Sequence, residues 1–145
     1  MMSFLFGTDD DYAAFIARLV LGAVMFPHGA QKLLGWFGGY GFAGTMDFFT
    51  QQMGIPWIVA FLVILIEFFG ALGLIAGALS RLQSLGIGAV MLGAIFTSHA
   101  QYGFFMNWYG NKAGEGFEYH LLALGLAAVV LLKGGGAWAV DRLVE

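Results

Sequence analysis

The sequence contains no cysteine among its 145 residues. A chain without thiols cannot form a disulfide, hold an iron–sulfur cluster by its own thiolates or use a cysteine nucleophile. Any redox chemistry would therefore need a bound cofactor or a partner subunit.

Charged residues are also scarce. Only 10% of the residues are charged, 60% are hydrophobic, and the mean hydropathy is +0.83. Soluble domains carry about 25% charged residues, so the lipid bilayer is the predicted surrounding of this chain. Its six Lys and Arg residues form no basic cluster and the formal net charge is −3, which argues against nucleic acid as a partner.

Four apolar runs are close to the length of about 20 helical residues that a bilayer crossing requires. They cover residues 12–34, 57–79, 84–104 and 117–133. Runs of this length are typical of helices, because the strands of membrane barrels have roughly ten residues of alternating character. The sequence therefore predicts an all-α polytopic membrane protein in which residues 1–145 form one transmembrane domain, an up-down bundle of four helices.

The basic residues give an orientation for this bundle. Alternating spans place the two long connections on one side of the membrane and both termini on the other. Arg81, Lys133 and Arg142 lie on the side of the termini, whereas Lys32 and Lys112 lie near the opposite side. The positive-inside rule then predicts that both termini are cytoplasmic.

Ionisable side chains within apolar spans are costly unless they are paired or solvated, so each is a functional candidate. Most lie in the half of the membrane that faces the long connections. Arg18 lies deeper, where it could form a buried ion pair with Glu67. Glu118 and His120 are two residues apart, about 200° around a helix; we favour Glu118 for the site and a structural or loop-facing role for His120. The full set is Arg18, His28, Lys32, Glu67, His99, Glu118 and His120.

Short motifs extend along nearly the whole chain, from about residue 15 to residue 141. They are HGAQKL at 28–33, GWFGG at 35–39, Glu67, Arg81, His99 followed by GFF at 103–105, and GFEY at 116–119. Together these motifs resemble the DoxX family.

The resemblance implies a small four-helix inner-membrane protein of bacteria or archaea. The family is named for a subunit of a thiosulfate:quinone oxidoreductase, and related members are linked to membrane complexes that handle oxidative or thiol stress. Because this chain lacks cysteine, it could not itself carry a persulfide, and any sulfur chemistry would belong to a partner subunit.

The leading interpretation is a membrane subunit of an oxidoreductase system that binds quinone, or a similar lipid-soluble redox molecule, in a polar intramembrane pocket. His28 and His99 would donate hydrogen bonds to the quinone, and Glu67 and Glu118 would relay protons. A soluble or membrane redox partner would complete the system, and the protein could form a homo-oligomer. The substrate-binding residues of the pocket would be Arg18, Gln31, Lys32, Phe104, Trp108 and Tyr119.

Other interpretations stay open. The polar residues could only specify helix packing in a non-enzymatic scaffold or lipid-binding subunit, or the chain could transport a small molecule or protons. His28, Glu67, His99 and Glu118 are also of the types that iron or zinc binds, and His28 with His99 could hold a haem. The Glu-x-x-His spacing of helical di-iron sites is absent from the sequence.

Overall fold

The computed structural model describes residues 5–144 and contains no β-strand in that range. The prediction of an all-α fold is confirmed. The helices are α1 (Tyr12–Leu33), α2 (Gly41–Asp47), α3 (Trp57–Ala76), α4 (Ser80–Tyr102) and α5 (Glu118–Lys133).

The four long helices form a closed bundle. Helix α1 packs against α3 and α5, and α4 packs against the same two neighbours. The space between them is filled by apolar side chains that are fully buried or nearly so, as expected for a helix bundle. This core includes Leu21, Met25, Leu74, Ile87 and Val130.

Three of the helices are long and apolar enough to cross a membrane. Helices α1, α3 and α4 have 22, 20 and 23 residues, and a hydrocarbon core of about 30 Å needs about 20. The outward faces of the bundle carry exposed apolar side chains, among them Leu62, Phe96 and Leu122. The chain is therefore a multi-pass membrane protein. Helix α5 has 16 residues, about 24 Å at the usual helical rise, so a fourth crossing stays a prediction.

The turn between α3 and α4 differs from the sequence prediction. Helix α3 ends at Ala76 rather than at 79, and α4 begins at Ser80 rather than at 84. Gly77 ends α3 with a φ of 73°, in the left-handed region that glycine enters at no steric cost. Leu79 also has a positive φ, 51°. The early start of α4 has a cause that is distant in the sequence: the N–H groups of Leu79 and Ser80 donate to the carboxylate of Asp141.

Both long connections lie at the end of the bundle opposite the described terminal segments; we call this the loop end and the other the terminal end. In the first connection, α2 continues into a π-helical turn, and Met46 packs on Ala60 and Ile64 of α3. In the second, the N–H of Phe117 donates to the carbonyl of Gly103 (3.1 Å). That bond draws the start of α5 to the end of α4.

Candidate functional site

Arg18 lies near the terminal end of the bundle, with 1% of its surface exposed. Its Nη1 donates to the carbonyls of Leu74 (2.6 Å) and Ile75 (2.8 Å), in the last turn of α3. Its Nε and Nη2 donate to the carbonyls of Gly135 (2.7 Å) and Ala137 (3.2 Å), beyond α5. The guanidinium thus supplies donors to the C-terminus of α3, where carbonyls lack partners within the helix and positive charge is favourable.

These bonds contradict the predicted ion pair between Arg18 and Glu67. Glu67 is bonded elsewhere, and the partners of Arg18 are all backbone carbonyls. The prediction was wrong because carbonyl groups do not show in a sequence, whereas Glu67 was the nearest visible countercharge. With four donors engaged and almost no exposed surface, Arg18 is built into the fold rather than presented to a ligand.

Asp141 completes the terminal end. Its carboxylate accepts hydrogen bonds from the N–H groups of Leu79 (2.6 Å) and Ser80 (2.9 Å), and its own N–H donates to the carbonyl of Gly77 (2.9 Å). A carboxylate at a helix N-terminus satisfies free N–H groups and complements the helix dipole. Asp141, which is 2% exposed, therefore caps α4 from the far end of the chain. We call Arg18, Asp141 and their partners the Arg18 network.

In the loop-facing half of the bundle, Lys32 forms an ion pair with Glu67. The Lys32 Nζ lies 2.5 Å from Glu67 Oε2. Glu67 is 5% exposed, and Lys32 is partly buried. The pair joins the last turn of α1 to the middle of α3. The sequence places Lys32 near the membrane interface, but its side chain extends into the bundle to reach Glu67.

The backbone around Glu67 is irregular and close to α1. Glu67 lies in a π-helical segment, Ile66–Gly70, and such segments are frequent at functional sites. A Cβ on Gly29 would meet the backbone of Glu67 at 2.6 Å. Only glycine permits this approach, which explains the glycine after His28 in the HGAQKL motif.

Two aromatic side chains adjoin this pair. His28, one turn before Lys32 on α1, has its ring centroid 5.9 Å from that of Tyr119 on α5. The Tyr119 hydroxyl donates to Met25 Sδ (3.4 Å). The His28 ring is exposed at the surface of the bundle, while Glu67 is buried.

His99 and His120 form the outer part of the same region. Their ring centroids are 4.1 Å apart and their planes are inclined by 41°. His99 ends a π-helical segment of α4, Ile95–His99, and its Nδ1 bonds to the carbonyl of Glu115 (2.9 Å). His120 is 5% exposed, and its Nδ1 has no hydrogen-bond partner. We call Lys32, Glu67, His28, Tyr119, His99 and His120 the Lys32–Glu67 cluster.

A loop-facing position for His120 is wrong, because its side chain is buried, whereas a structural role for His120 and the assignment of Glu118 to the site stay predictions. Glu118 accepts hydrogen bonds from the N–H of Met106 (3.0 Å) and from Trp108 Nε1 (2.6 Å), so it holds the second long connection in place. His120 instead points into the bundle. A signal was available, because the buried positions of α5 are His120, Ala123, Ala127 and Val130, a helical spacing that puts His120 on the core face.

The other predicted substrate-binding residues are divided between two places. Phe104 and Trp108 lie exposed in the second connection, away from the first. Gln31 and Lys32 line an open depression of about 300 Å³ under the first connection. Its other lining residues include Gly39, Thr45 and Phe49.

A metal site is not assembled in the described part of the chain. Within residues 5–144, no three His, Asp or Glu side chains converge to hold a metal ion. The proposed set of His28, Glu67, His99 and Glu118 is divided because Glu118 bonds to the second connection and Glu67 bonds to Lys32.

Comparison with known proteins agrees with this architecture. The DoxX family model matches residues 13–100, more than half of the chain, from α1 into the last turns of α4. The chain is also similar to the inner membrane protein YqjF of Escherichia coli (strain K12). The two are 27% identical over 136 residues, which cover 94% of this chain and 95% of the relative. No solved structure matches the chain significantly.

Proposed function

The chain belongs to the DoxX family, and from that premise we propose that it is an inner-membrane subunit of an oxidoreductase system that binds a quinone beside the Lys32–Glu67 pair. The similarity to a protein named as an inner membrane protein supports the location. The protein would lie in the inner membrane with both termini in the cytoplasm.

The observation that carries the proposal is the Lys32–Glu67 ion pair, whose carboxylate is almost fully buried inside the helix bundle. Burying two charges costs free energy that their attraction only partly returns, so a pair at this place calls for a reason other than stability. Its neighbours His28 and Tyr119 add an imidazole and a hydroxyl. These are the groups that donate hydrogen bonds and transfer protons to a carbonyl oxygen.

The depression beside Lys32 gives such a molecule a place to bind. Its volume of about 300 Å³ is at the lower limit for small-ligand sites. Phe49 offers an aromatic surface for the quinone ring, and Gln31 and Thr45 offer polar groups near its edge. The isoprenoid tail would remain in the lipid against the exposed apolar faces.

The electrons would come from a partner. Reduction of a quinone to a quinol takes two electrons and two protons. A chain without cysteine has no thiol to oxidise and no thiolate ligand for an iron–sulfur cluster. A redox partner subunit, soluble or in the membrane, would supply the electrons, while this chain binds the quinone and conducts the protons.

A non-enzymatic scaffold is the second candidate function, and it too has a supporting observation. Arg18, Asp141 and Glu118 all bond to backbone groups or to a loop, which is what a packing role requires. Lys32 and Glu67, in contrast, contact each other through their side chains, so a packing role based on backbone bonds does not account for them. Transport is the third candidate, and it has no such observation in its favour.

Quinone titration tests the proposal. The protein, purified in detergent, is titrated with decylubiquinone while its tryptophan fluorescence is followed. We expect saturable quenching that is lost in Glu67→Gln and in His28→Ala and is retained in Asp9→Asn, an exposed carboxylate at the terminal end. A wild-type protein that shows no saturable binding, or variants that bind like it, would rule the quinone site out.

The proposed orientation can be tested separately because the chain has no native thiol. Asn111→Cys places a thiol in the second long connection, and Leu143→Cys places one near the C-terminus; both positions are exposed. We expect a membrane-impermeant maleimide to label Asn111→Cys in spheroplasts and Leu143→Cys only after lysis. The reverse labelling would place the termini outside.

A further inference from the structure

We propose that His99 and His120 form a proton relay that connects the quinone site to the loop end of the bundle. The inference rests on the proposed function and adds to it the route and the side of proton uptake. It begins from one atom without a partner, His120 Nδ1, in a residue that is 5% exposed. A buried polar atom without a hydrogen bond costs free energy and calls for an explanation.

His99 provides the outer end of the relay. Its Nδ1 lies 2.9 Å from the carbonyl oxygen of Glu115, a group that can only accept, so Nδ1 carries the proton. In the neutral ring Nε2 is then an acceptor. His99 is partly exposed, and the second long connection passes beside it. It can therefore take a proton from the aqueous side.

The two imidazoles form a unit that carries one proton at a time. At 4.1 Å between ring centroids, two positively charged rings would repel each other strongly in a lipid-shielded site. A proton on one ring therefore excludes a second proton on the other. Such a pair passes a single charge inward and then returns to neutrality.

The route continues inward along side chains of α5 and α1. The ring centroids of His120 and Tyr119 are 5.2 Å apart, and those of Tyr119 and His28 are 5.9 Å apart. In the proposed route, one water between neighbouring rings carries the proton at each step. His28 then leads to the Lys32–Glu67 pair, where the quinone oxygens would lie.

The terminal end offers no comparable route in the part of the chain that the structure describes. Between Arg18 and Glu67 the core includes apolar side chains such as Leu21, Met25 and Ile87, together with the neutral polar Ser84 and Gln83 of α4. Arg18 stays protonated under all ordinary conditions, and its donors are bonded to carbonyls. Protons for the quinone therefore enter from the loop end.

The chemistry balances as follows. A reduced flavin or metal centre of the partner subunit gives two electrons to the quinone and is oxidised. Two protons pass in turn from water to His99, to His120 and through Tyr119 and His28 to the two quinone oxygens, each forming one O–H bond. The quinol leaves, and both imidazoles end neutral.

The test separates binding from proton delivery. Detergent-purified protein loaded with decylubiquinone is mixed with dithionite, which replaces the partner as electron donor, and quinol formation is followed by ultraviolet absorbance. His99→Gln and His120→Gln are compared with Ser98→Ala, a change in the same π-helical segment that removes no titratable group. Affinity is measured by the fluorescence titration described above.

We expect both histidine variants to keep quinone affinity within about twofold and to form quinol at least about a hundredfold more slowly, the lower end of the range for general acid catalysis. Added imidazole should restore the rate, and Ser98→Ala should behave like wild type. Rescue distinguishes a relay from a packing role, because a distorted fold would not respond to imidazole.

Four results would overturn the relay. These are unchanged rates with retained binding, slow rates that imidazole does not restore, loss of quinone affinity in the variants, or equal slowing in Ser98→Ala. If the wild-type protein binds no quinone at all, the proposed function fails first and the relay fails with it. Because affinity and rate are measured separately, the two failures are distinguishable.

Discussion

The bundle contains two buried polar regions, and the polar groups of each find their partners in a different way. In the Arg18 network a cation and a carboxylate bond to backbone groups, and they join α1, α3, α4 and the segment after α5. In the Lys32–Glu67 cluster, charged and aromatic side chains meet one another. One of its nitrogens has no partner, and one imidazole is exposed.

The difference is between polar side chains bonded mainly to the backbone and polar side chains that contact mainly one another. Backbone groups cannot leave or change charge, so the guanidinium of Arg18, with four hydrogen bonds to carbonyls, is fixed in place. Side chains that meet one another can rearrange, exchange protons and accept a ligand in place of a neighbour. Two π-helical segments, around Glu67 and His99, belong to the second region, as expected where function outweighs regular hydrogen bonding.

The largest effect is expected from removing the centre of the Arg18 network. Arg18→Met keeps most of the side-chain length but removes four hydrogen bonds to carbonyls. We expect a loss of several kcal/mol, because each buried carbonyl left without its donor costs about 1–3 kcal/mol, and poor recovery of folded protein. Thermal melting in detergent measures the loss.

Arg142→Met is the matched control for this change. Its guanidinium bonds to Asp10 at the exposed surface, and exposed pairs contribute about 0–1 kcal/mol. If the two variants melt alike, the backbone network does not hold the fold, and the contrast between the regions is lost.

Asp141→Ala should also destabilise the protein, by less than Arg18→Met. It removes the cap from Leu79 and Ser80, and losing an N-terminal cap costs about 0.5–2 kcal/mol. Because the cap comes from the far end of the chain, the C-terminal segment should also detach. Faster proteolysis after residue 133, together with a lower melting temperature, would show this. Asp9→Ala should change neither measurement.

The Lys32–Glu67 pair should respond differently. Glu67→Gln and Lys32→Met each leave one polar group without its countercharge, at a cost of about 1–3 kcal/mol. The double variant removes both and should recover part of that loss, as coupled neighbours do. Decylubiquinone binding should be absent from all three. If the two losses of stability are additive, or if the double variant still binds decylubiquinone, the pair has only a structural role.

The sequence was a good guide to the fold and a partial guide to the site. Length and hydropathy locate α1 and α3 to within a few residues, because lipid demands continuous apolar helices. The same reasoning could not find the partners of Arg18, which are carbonyls. The cap on α4 could not be predicted either, because Asp141 is far from Ser80 in the sequence.

The burial of His120, in contrast, could have been predicted from the sequence. Its spacing from Ala123, Ala127 and Val130 marks the buried face of α5, and the prediction instead followed the acidic residue two positions earlier. Glu118 is more conspicuous in an apolar run, yet it lies in the first turn, where an acidic side chain can bond to a loop. Position around the helix was therefore a better criterion than charge for predicting which side chain of α5 points into the bundle.

The smallest expected effect concerns the carboxylate of Asp11, at the edge of the terminal end. The N–H of Ala14 donates to the Asp11 carboxylate, and this bond, with those from Ala13 and the ammonium of Lys133, holds the pKa of Asp11 below its ordinary value, although desolvation opposes the shift. The folded protein therefore binds this proton more weakly than the unfolded chain does. Ionised Asp11 stabilises the fold above about pH 4, and that contribution is lost as the pH falls through the lowered pKa.

Melting temperatures measured across the acid range check this sign. We expect Asp11→Asn, which keeps a side chain suited to capping, to melt slightly lower than wild type at neutral pH and to lose less stability on acidification. Asp9→Asn, at an exposed position, should follow the wild-type curve. If Asp11→Asn is as acid-sensitive as wild type, the sensitivity arises elsewhere.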